Sequence, residues 1–171
     1  LTLKVWAVVA TGAALFPFLA ANPYQVRVGA ISFYYFLLVA SWSLLFGRAG
    51  QFSLAHVAIA TIGAYVSIGL SAGLGMPVAA AMPVAAVCAA LLATLLAFAS
   101  LRLTGIYLAL ITLAFAEGTR AVLRSADQVT GGARGLFAPY LFEGSSNLPY
   151  YYLGMALVAA FLVTQTALLH T

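Results

Sequence analysis

The segment Gly47–His56 joins two apolar stretches and holds several of the chain's few polar side chains. Gln51, Ser53 and His56 place an amide, a hydroxyl and an imidazole close together. Ser53 is predicted to cap the following helix, so that Ser53 and His56 share one helical face. An ionisable group in an apolar helix is costly and is often functional. Two interpretations stay open: a histidine that braces two helices, and a histidine on a solute pathway.

A second group of chemistry-bearing residues stands at helical spacing further along the chain. Glu117, Arg120 and Arg124 lie at i, i+3 and i+7, on one face of a predicted helix. Charges of both signs together cost less in lipid than one sign alone. The face therefore forms an internal ion pair, or reaches the membrane surface by snorkelling, or lines a translocation route.

The other reactive residues do not form a catalytic or metal-binding pattern. His56, His170 and Cys88 lack the spacing of metal ligands. Residues 130–135 read TGGARG, but no predicted strand precedes them and Lys4 is the only lysine, so they are not a P-loop. We predict no catalytic residue, no metal and no cofactor, and we do not expect an enzyme.

Composition assigns the chain to the membrane. Of its 171 residues, 65% are hydrophobic and 6% are charged, whereas soluble domains average about 25% charged. The net charge is +4, but the cations are scattered singly and form no basic stripe, which argues against nucleic acid as a partner. Membrane lipid is the expected surrounding.

Charge-free runs give the predicted spans. No Lys, Arg, Asp or Glu occurs in 5–26, 28–47, 49–101 or 144–171, and a bilayer core needs about 20 apolar residues per helix. Gly73 and Pro77 break the third run. The prediction is an all-α polytopic membrane helix bundle of about six transmembrane spans, at 5–21, 28–46, 53–72, 78–99, 103–126 and 150–169. Tyr150, Tyr151 and Tyr152 are predicted to lie in an interfacial aromatic belt.

Small residues recur at every fourth position on two spans. They are Gly63 and Ser67 on the third span, and Ala85, Ala89 and Ala93 on the fourth. In lipid, such ridges allow helix backbones to approach closely. We expect these five residues to pack helices together inside the bundle.

Charge alone does not orient the chain. With alternating loops, Lys4, Arg48 and Arg102 fall on one side, and four arginines fall on the other. The positive-inside rule therefore gives no clear answer. Setting aside Arg120 and Arg124, which belong to the fifth span, favours a cytoplasmic N-terminus.

Three stretches resemble a known family. They are 50–65 (GQFSLAHVAIATIGAY), 101–117 (LRLTGIYLALITLAFAE) and 130–136 (TGGARGL). In this order they resemble the LivM-like permeases of bacterial branched-chain amino-acid ABC importers. The resemblance covers nearly the whole chain, as the N-terminal part of a longer pattern.

The resemblance implies a multi-pass subunit of the bacterial inner membrane. Its partners would be a second permease subunit, two cytoplasmic ABC ATPase subunits and a periplasmic substrate-binding protein. The family's N-terminus is cytoplasmic, which would place 127–149 in the periplasm. The implied function is the membrane path for branched-chain amino acids, with ATP hydrolysed on the other subunits. Similar permeases carry urea, short amides or other amino acids, and a stand-alone channel or scaffold without ATPases is the alternative from another class.

Residues 1–171 are expected to form a single transmembrane permease domain. The family continues into a charged cytoplasmic coupling loop and further helices beyond the position of His170, and Ala55 replaces a glycine that usually precedes the histidine. We therefore expect a truncated product or one half of a split permease.

Overall fold

The computed structural model describes residues 12–19, 22–142 and 146–170, and these residues contain helices and no strands. Residues 12–19 are helical (α1). The predicted span 5–21 lies largely outside the described residues. The other helices are α2 (Pro23–Ala49), α3 (His56–Leu74), α4 (Val78–Ser100), α5 (Ile106–Ser125), α6 (Asp127–Thr130), a 3-10 turn (Gly132–Arg134) and α7 (Leu148–His170).

Five of the described helices are long and apolar enough to cross a membrane. They occupy Pro23–Arg48, His56–Leu74, Val78–Ser100, Ile106–Ser125 and Leu148–Ala167. Each coincides with one of the predicted spans, with ends that differ by a few residues. The prediction of an all-α multi-pass membrane protein is confirmed.

Glycine and proline separate the spans as the sequence indicates. Gly75 follows α3 with a φ of 67°, in the left-handed region that glycine enters without steric cost. Pro77 lies directly before α4, where its fixed φ suits a helix start. The break predicted between Gly73 and Pro77 is therefore present.

The chain divides into two compact units, and the division falls inside α2, after Ser41. The first unit contains α1, the start of α2 and α7, and it is organised around Tyr151, which is 2% exposed. The Tyr151 hydroxyl donates a hydrogen bond to Ala13 O at 2.7 Å, and its ring packs edge-on against Phe33 at 5.0 Å. Tyr151 is thus a core residue of this unit in the first turn of α7, and its place in an interfacial belt stays a prediction.

The second unit covers the described residues from Trp42 to Phe142. The most extensive helix contact in it is between α3 and α4, and α5 packs on α3. Large apolar side chains such as Leu91, Leu95 and Phe98 lie on its outer surface. An apolar exterior suits contact with lipid or with another membrane subunit.

Candidate functional site

Residues 50–55 form a non-helical segment between α2 and α3, in the second unit. Gly50 has a φ of 61°, which turns the chain at the end of α2. Its N–H bonds to Phe46 O at 3.0 Å and so continues the hydrogen bonding of the helix. The sequence predicted that Ser53 caps α3, but α3 begins at His56 with Ala55 as its N-cap residue. Ser53 lies before the helix and does not share its face.

Two hydrogen bonds anchor this segment to helices of the same unit, and a third lies within the segment. Trp42 Nε1 donates to Ser53 O at 2.8 Å, and Leu54 N donates to Thr112 Oγ1 at 3.0 Å. The Ala55 N–H bonds to Ser53 Oγ at 3.4 Å. Irregular backbone at membrane depth is tolerated where protein groups satisfy it. These contacts allow residues 50–55 to stay non-helical within the bundle.

The contact with Thr112 shows how deep the segment lies. Thr112 stands six positions after Ile106, the first residue of α5, which is about 9 Å along the helix at 1.5 Å per residue. Leu54 is therefore level with the second turn of α5. The Leu54 end of the segment therefore lies beside α5 and not at its first residue, whereas residues 50–52 are exposed.

A cavity of about 250 Å³ lies beneath the segment. Its polar lining consists of Gln51, Ser53, His56, Ser100 and Thr112, and apolar residues of α2 to α5 form the rest. The His56 Nδ1 atom is buried and has no hydrogen-bond partner among the described residues. The structure thus brings Gln51, Ser53 and His56 to one cavity, although by a different backbone path from the predicted helical face.

Glu117, Arg120 and Arg124 line a separate cleft of about 460 Å³ in the same unit. The opposite side of the cleft is the first half of α3, with Thr61 and Tyr65 as its hydroxyl-bearing residues. The six residues singled out from the sequence therefore form two groups, one at each cavity.

The charges in the cleft are partly paired. Arg120 Nη1 lies 3.5 Å from Glu117 Oε2, with side chains 58% and 62% exposed. An ion pair is present, but it joins two residues of one helix and both side chains are exposed within this chain, so an internal pair that holds α5 to other helices stays a prediction. Arg124 forms no salt bridge with any described residue.

A glycine-rich turn contributes to the lining of the cleft. Thr130 Oγ1 donates to Ala126 O at 2.9 Å and accepts from Gly132 N at 3.3 Å. Gly132 has a φ of 55°, and a Cβ there would collide with the Asp127 carboxylate. The turn folds back on the end of α5 and brings Gly132 and Ala133 into the cleft lining.

The small residues predicted for helix packing lie on α3 and α4. A Cβ built on Gly63 would lie 3.4 Å from Ala89 Cβ, and Ala85 is buried. Ala93 lines the cavity beneath residues 50–55. Ser67 lies half-buried on α3.

Sequence reasoning missed Trp42 and Thr112, the two side chains that hold the non-helical segment from a distance. Thr112 lies within the 101–117 stretch that resembles the permease family, which was the signal available for it. Trp42 lies in an apolar span, where it resembles any membrane-embedded aromatic residue. No cluster of three or more metal-ligating side chains occurs among the described residues.

The fold defines a multi-pass α-helical membrane protein with polar cavities between its helices. Residues 25–171 match the model of the family described as branched-chain amino acid transport system / permease component. The chain belongs to this family, which confirms the resemblance seen in the sequence. The family is a transport permease component and not an enzyme.

Two relatives carry the same name, high-affinity branched-chain amino acid transport system permease protein LivM. The protein from Escherichia coli K12 is 32% identical over 124 residues, and that from Salmonella typhimurium LT2 is 31% identical over 124 residues. Each match covers 72% of this chain but 29% of the relative. The chain thus matches less than a third of the length of these relatives. No solved structure matches the chain.

Proposed function

We propose that this chain is part of a permease subunit of a bacterial ABC importer for branched-chain amino acids. The observation that carries the proposal is the family match over residues 25–171, together with the two LivM relatives. The proposed location is the inner membrane. ATP is hydrolysed on separate subunits, and the chain itself contributes part of the solute path.

The proposed partners are a second permease subunit, two ABC ATPase subunits and a periplasmic substrate-binding protein. The exposed charges of α5 support an assembly of this kind. Glu117, Arg120 and Arg124 lie on a helix long and apolar enough to span the membrane, where contact of charged groups with lipid is costly. Water in a pathway or a facing subunit would satisfy them.

The cleft between α3 and α5 is the proposed solute path within this chain. It carries charged groups from α5 and hydroxyl groups from α3, whereas the smaller cavity at His56 lies beneath a fixed backbone segment. We assign the groups around His56 a structural role, in which Ser53 and Thr112 bond to the backbone of the segment. His56→Gln keeps a hydrogen-bonding side chain and is expected to preserve both assembly and uptake.

The experiment is uptake of labelled leucine into proteoliposomes that contain a transporter with this chain, its partner permease and both ATPases. Binding protein is supplied outside and ATP inside. We expect accumulation that depends on ATP and is lost when the P-loop lysines of the ATPases are substituted. Accumulation of urea but not leucine, or accumulation unaffected by the lysine substitutions, would overturn the proposal.

A further inference from the structure

We propose that the cleft between α3 and α5 binds an amino acid as a zwitterion. In this proposal, Arg120 and Arg124 hold the α-carboxylate and Glu117 holds the α-ammonium group. The inference rests on the proposed function and deepens it, because it assigns the recognition of the solute's charged groups to three residues of this chain.

The two arginines form the part of the site that binds the anionic carboxylate of the solute. They stand at i and i+4 on α5 and line the same cleft, so their side chains are neighbours of like charge and repel each other. Arg124 has no acidic partner within the described part of the chain. A carboxylate between the two guanidinium groups removes the repulsion and accepts bidentate, charge-assisted hydrogen bonds.

Glu117, one helical turn before Arg120, forms the part of the site that binds the cationic ammonium group of the solute. Its contact with Arg120 is long, at 3.5 Å, and its side chain is 62% exposed. A carboxylate has about four lone-pair sites, so most of its capacity remains free for an ammonium group. The three side chains together carry one net positive charge. An amino acid zwitterion has a negative group for the arginines and a positive group for Glu117.

The remaining walls suit an aliphatic side chain. Val57 and Ala58 of α3 face Ala116 and Leu123 of α5 across the cleft. Its volume of about 460 Å³ lies within the range of ligand pockets, about 300–1,000 Å³. A neutral solute such as urea leaves these charges without a partner, and polar sites of this kind discriminate strongly against solutes that lack the matching group.

The test measures equilibrium binding in the assembled transporter in phosphatidylcholine nanodiscs, without binding protein or ATP. The probes are leucine, leucinamide, which lacks the carboxylate, and 4-methylpentanoate, which lacks the ammonium group. Arg124→Gln is expected to weaken leucine binding about tenfold, which is about 1.4 kcal/mol, because a charge-assisted hydrogen bond to the carboxylate is lost. Leucinamide is a cation without a carboxylate, and its binding is not expected to weaken. Glu117→Gln is expected to weaken leucine binding similarly and not to weaken the binding of 4-methylpentanoate, which is an anion.

Arg102→Gln is the matched control, since Arg102 is exposed in the same unit and does not line the cleft. It is expected to bind all three probes as the unsubstituted protein does. Leucine binding unchanged in both cleft variants would overturn the inference. So would equal losses for all three probes, which indicate a general structural defect.

A lipid phosphate shares the chemistry of the carboxylate, and a second set of nanodiscs distinguishes the two sources. Phosphatidylglycerol is expected to leave leucine affinity within about twofold. The inference would be overturned if leucine bound in neither set of nanodiscs while phosphatidylglycerol bound to the protein and lost this binding in Arg124→Gln. That result would assign the cleft to a lipid headgroup. Leucine uptake separates the zwitterion site from the proposed function. If Arg124→Gln and Glu117→Gln both keep full leucine accumulation, only the site is refuted. If the unsubstituted transporter accumulates no leucine, the proposed function is refuted.

Discussion

At the scale of single residues, Thr112 is the clearest link between distant parts of the second unit. It is 2% exposed, and its hydroxyl accepts a hydrogen bond from Leu54 N at 3.0 Å while donating to Leu108 O at 2.9 Å. One side chain thus satisfies a backbone group of the non-helical segment. The segment depends on a residue 58 positions away.

We predict that Thr112→Val destabilises the protein by about 1–3 kcal/mol, because the Leu54 N–H loses its partner. The measurement is the free energy of unfolding in mixed micelles titrated with a denaturing detergent. Thr94→Val is the control, since the Thr94 hydroxyl is exposed and bonds only to Ala90 O of its own helix. Equal losses in the two variants would contradict the anchoring role of Thr112.

At the scale of elements, residues 50–55 are held at two points by two different helices. Trp42 of α2 binds the carbonyl of Ser53, and Thr112 of α5 binds the amide of Leu54. Trp42 also stacks on Phe46 at 5.6 Å. Because the two anchors act on adjacent residues, we expect their contributions to stability to be coupled.

A double-mutant cycle measures this coupling. Trp42→Phe removes the indole donor and keeps an aromatic ring, and it is combined with Thr112→Val. We predict a coupling energy of about 0.5–3 kcal/mol, the range for residues in one network. Strict additivity of the two unfolding free energies would show that the segment is not held as one unit.

The α3–α4 interface depends on small residues. Gly63 faces Ala89 closely enough that a Cβ would reach contact distance, whereas Gly69 on the same helix has no atom within 4 Å of such a Cβ. We predict that Gly63→Leu costs about 1–3 kcal/mol through overpacking. Gly69→Leu is the control and is expected to change the unfolding free energy little. If both variants unfold alike, the two helices do not pack closely at Gly63.

At the scale of the whole chain, the sequence predicted the spans well because a long charge-free run has few alternatives to a helix in lipid. An ion pair between Glu117 and Arg120 was one of the alternatives that their i, i+3 spacing allowed, and the structure contains this pair. The sequence failed at Ser53 because the helix start depends on Trp42 and Thr112, which no local pattern contains. It did not predict the burial of Tyr151, because that burial depends on Phe33 and residues 12–19, which are distant in sequence.

The orientation of the chain stays a prediction, with residues 101–102 in the cytoplasm and 127–149 in the periplasm. On a Cys88→Ala background, single cysteines from Leu101→Cys and Ala138→Cys report the two sides, since both positions are exposed. We expect an impermeant thiol reagent outside intact cells to label Ala138→Cys and not Leu101→Cys. The reverse pattern, or equal labelling, would contradict the predicted orientation.

The central claim is that the cleft between α3 and α5 carries the solute, and cysteine accessibility at Ala116 tests it most directly. Ala116→Cys places a thiol in the cleft lining, and Leu95→Cys, on the outer surface of α4, is the control; both are made on the Cys88→Ala background in the assembled transporter. A water-soluble thiol reagent is expected to modify Ala116→Cys and to block its leucine uptake. Leucine is expected to slow this modification, and urea is not. The Leu95→Cys variant is expected to keep its leucine uptake after the same treatment. Modification of neither cysteine, or modification of Ala116→Cys without effect on uptake, would show that the solute does not pass through this cleft.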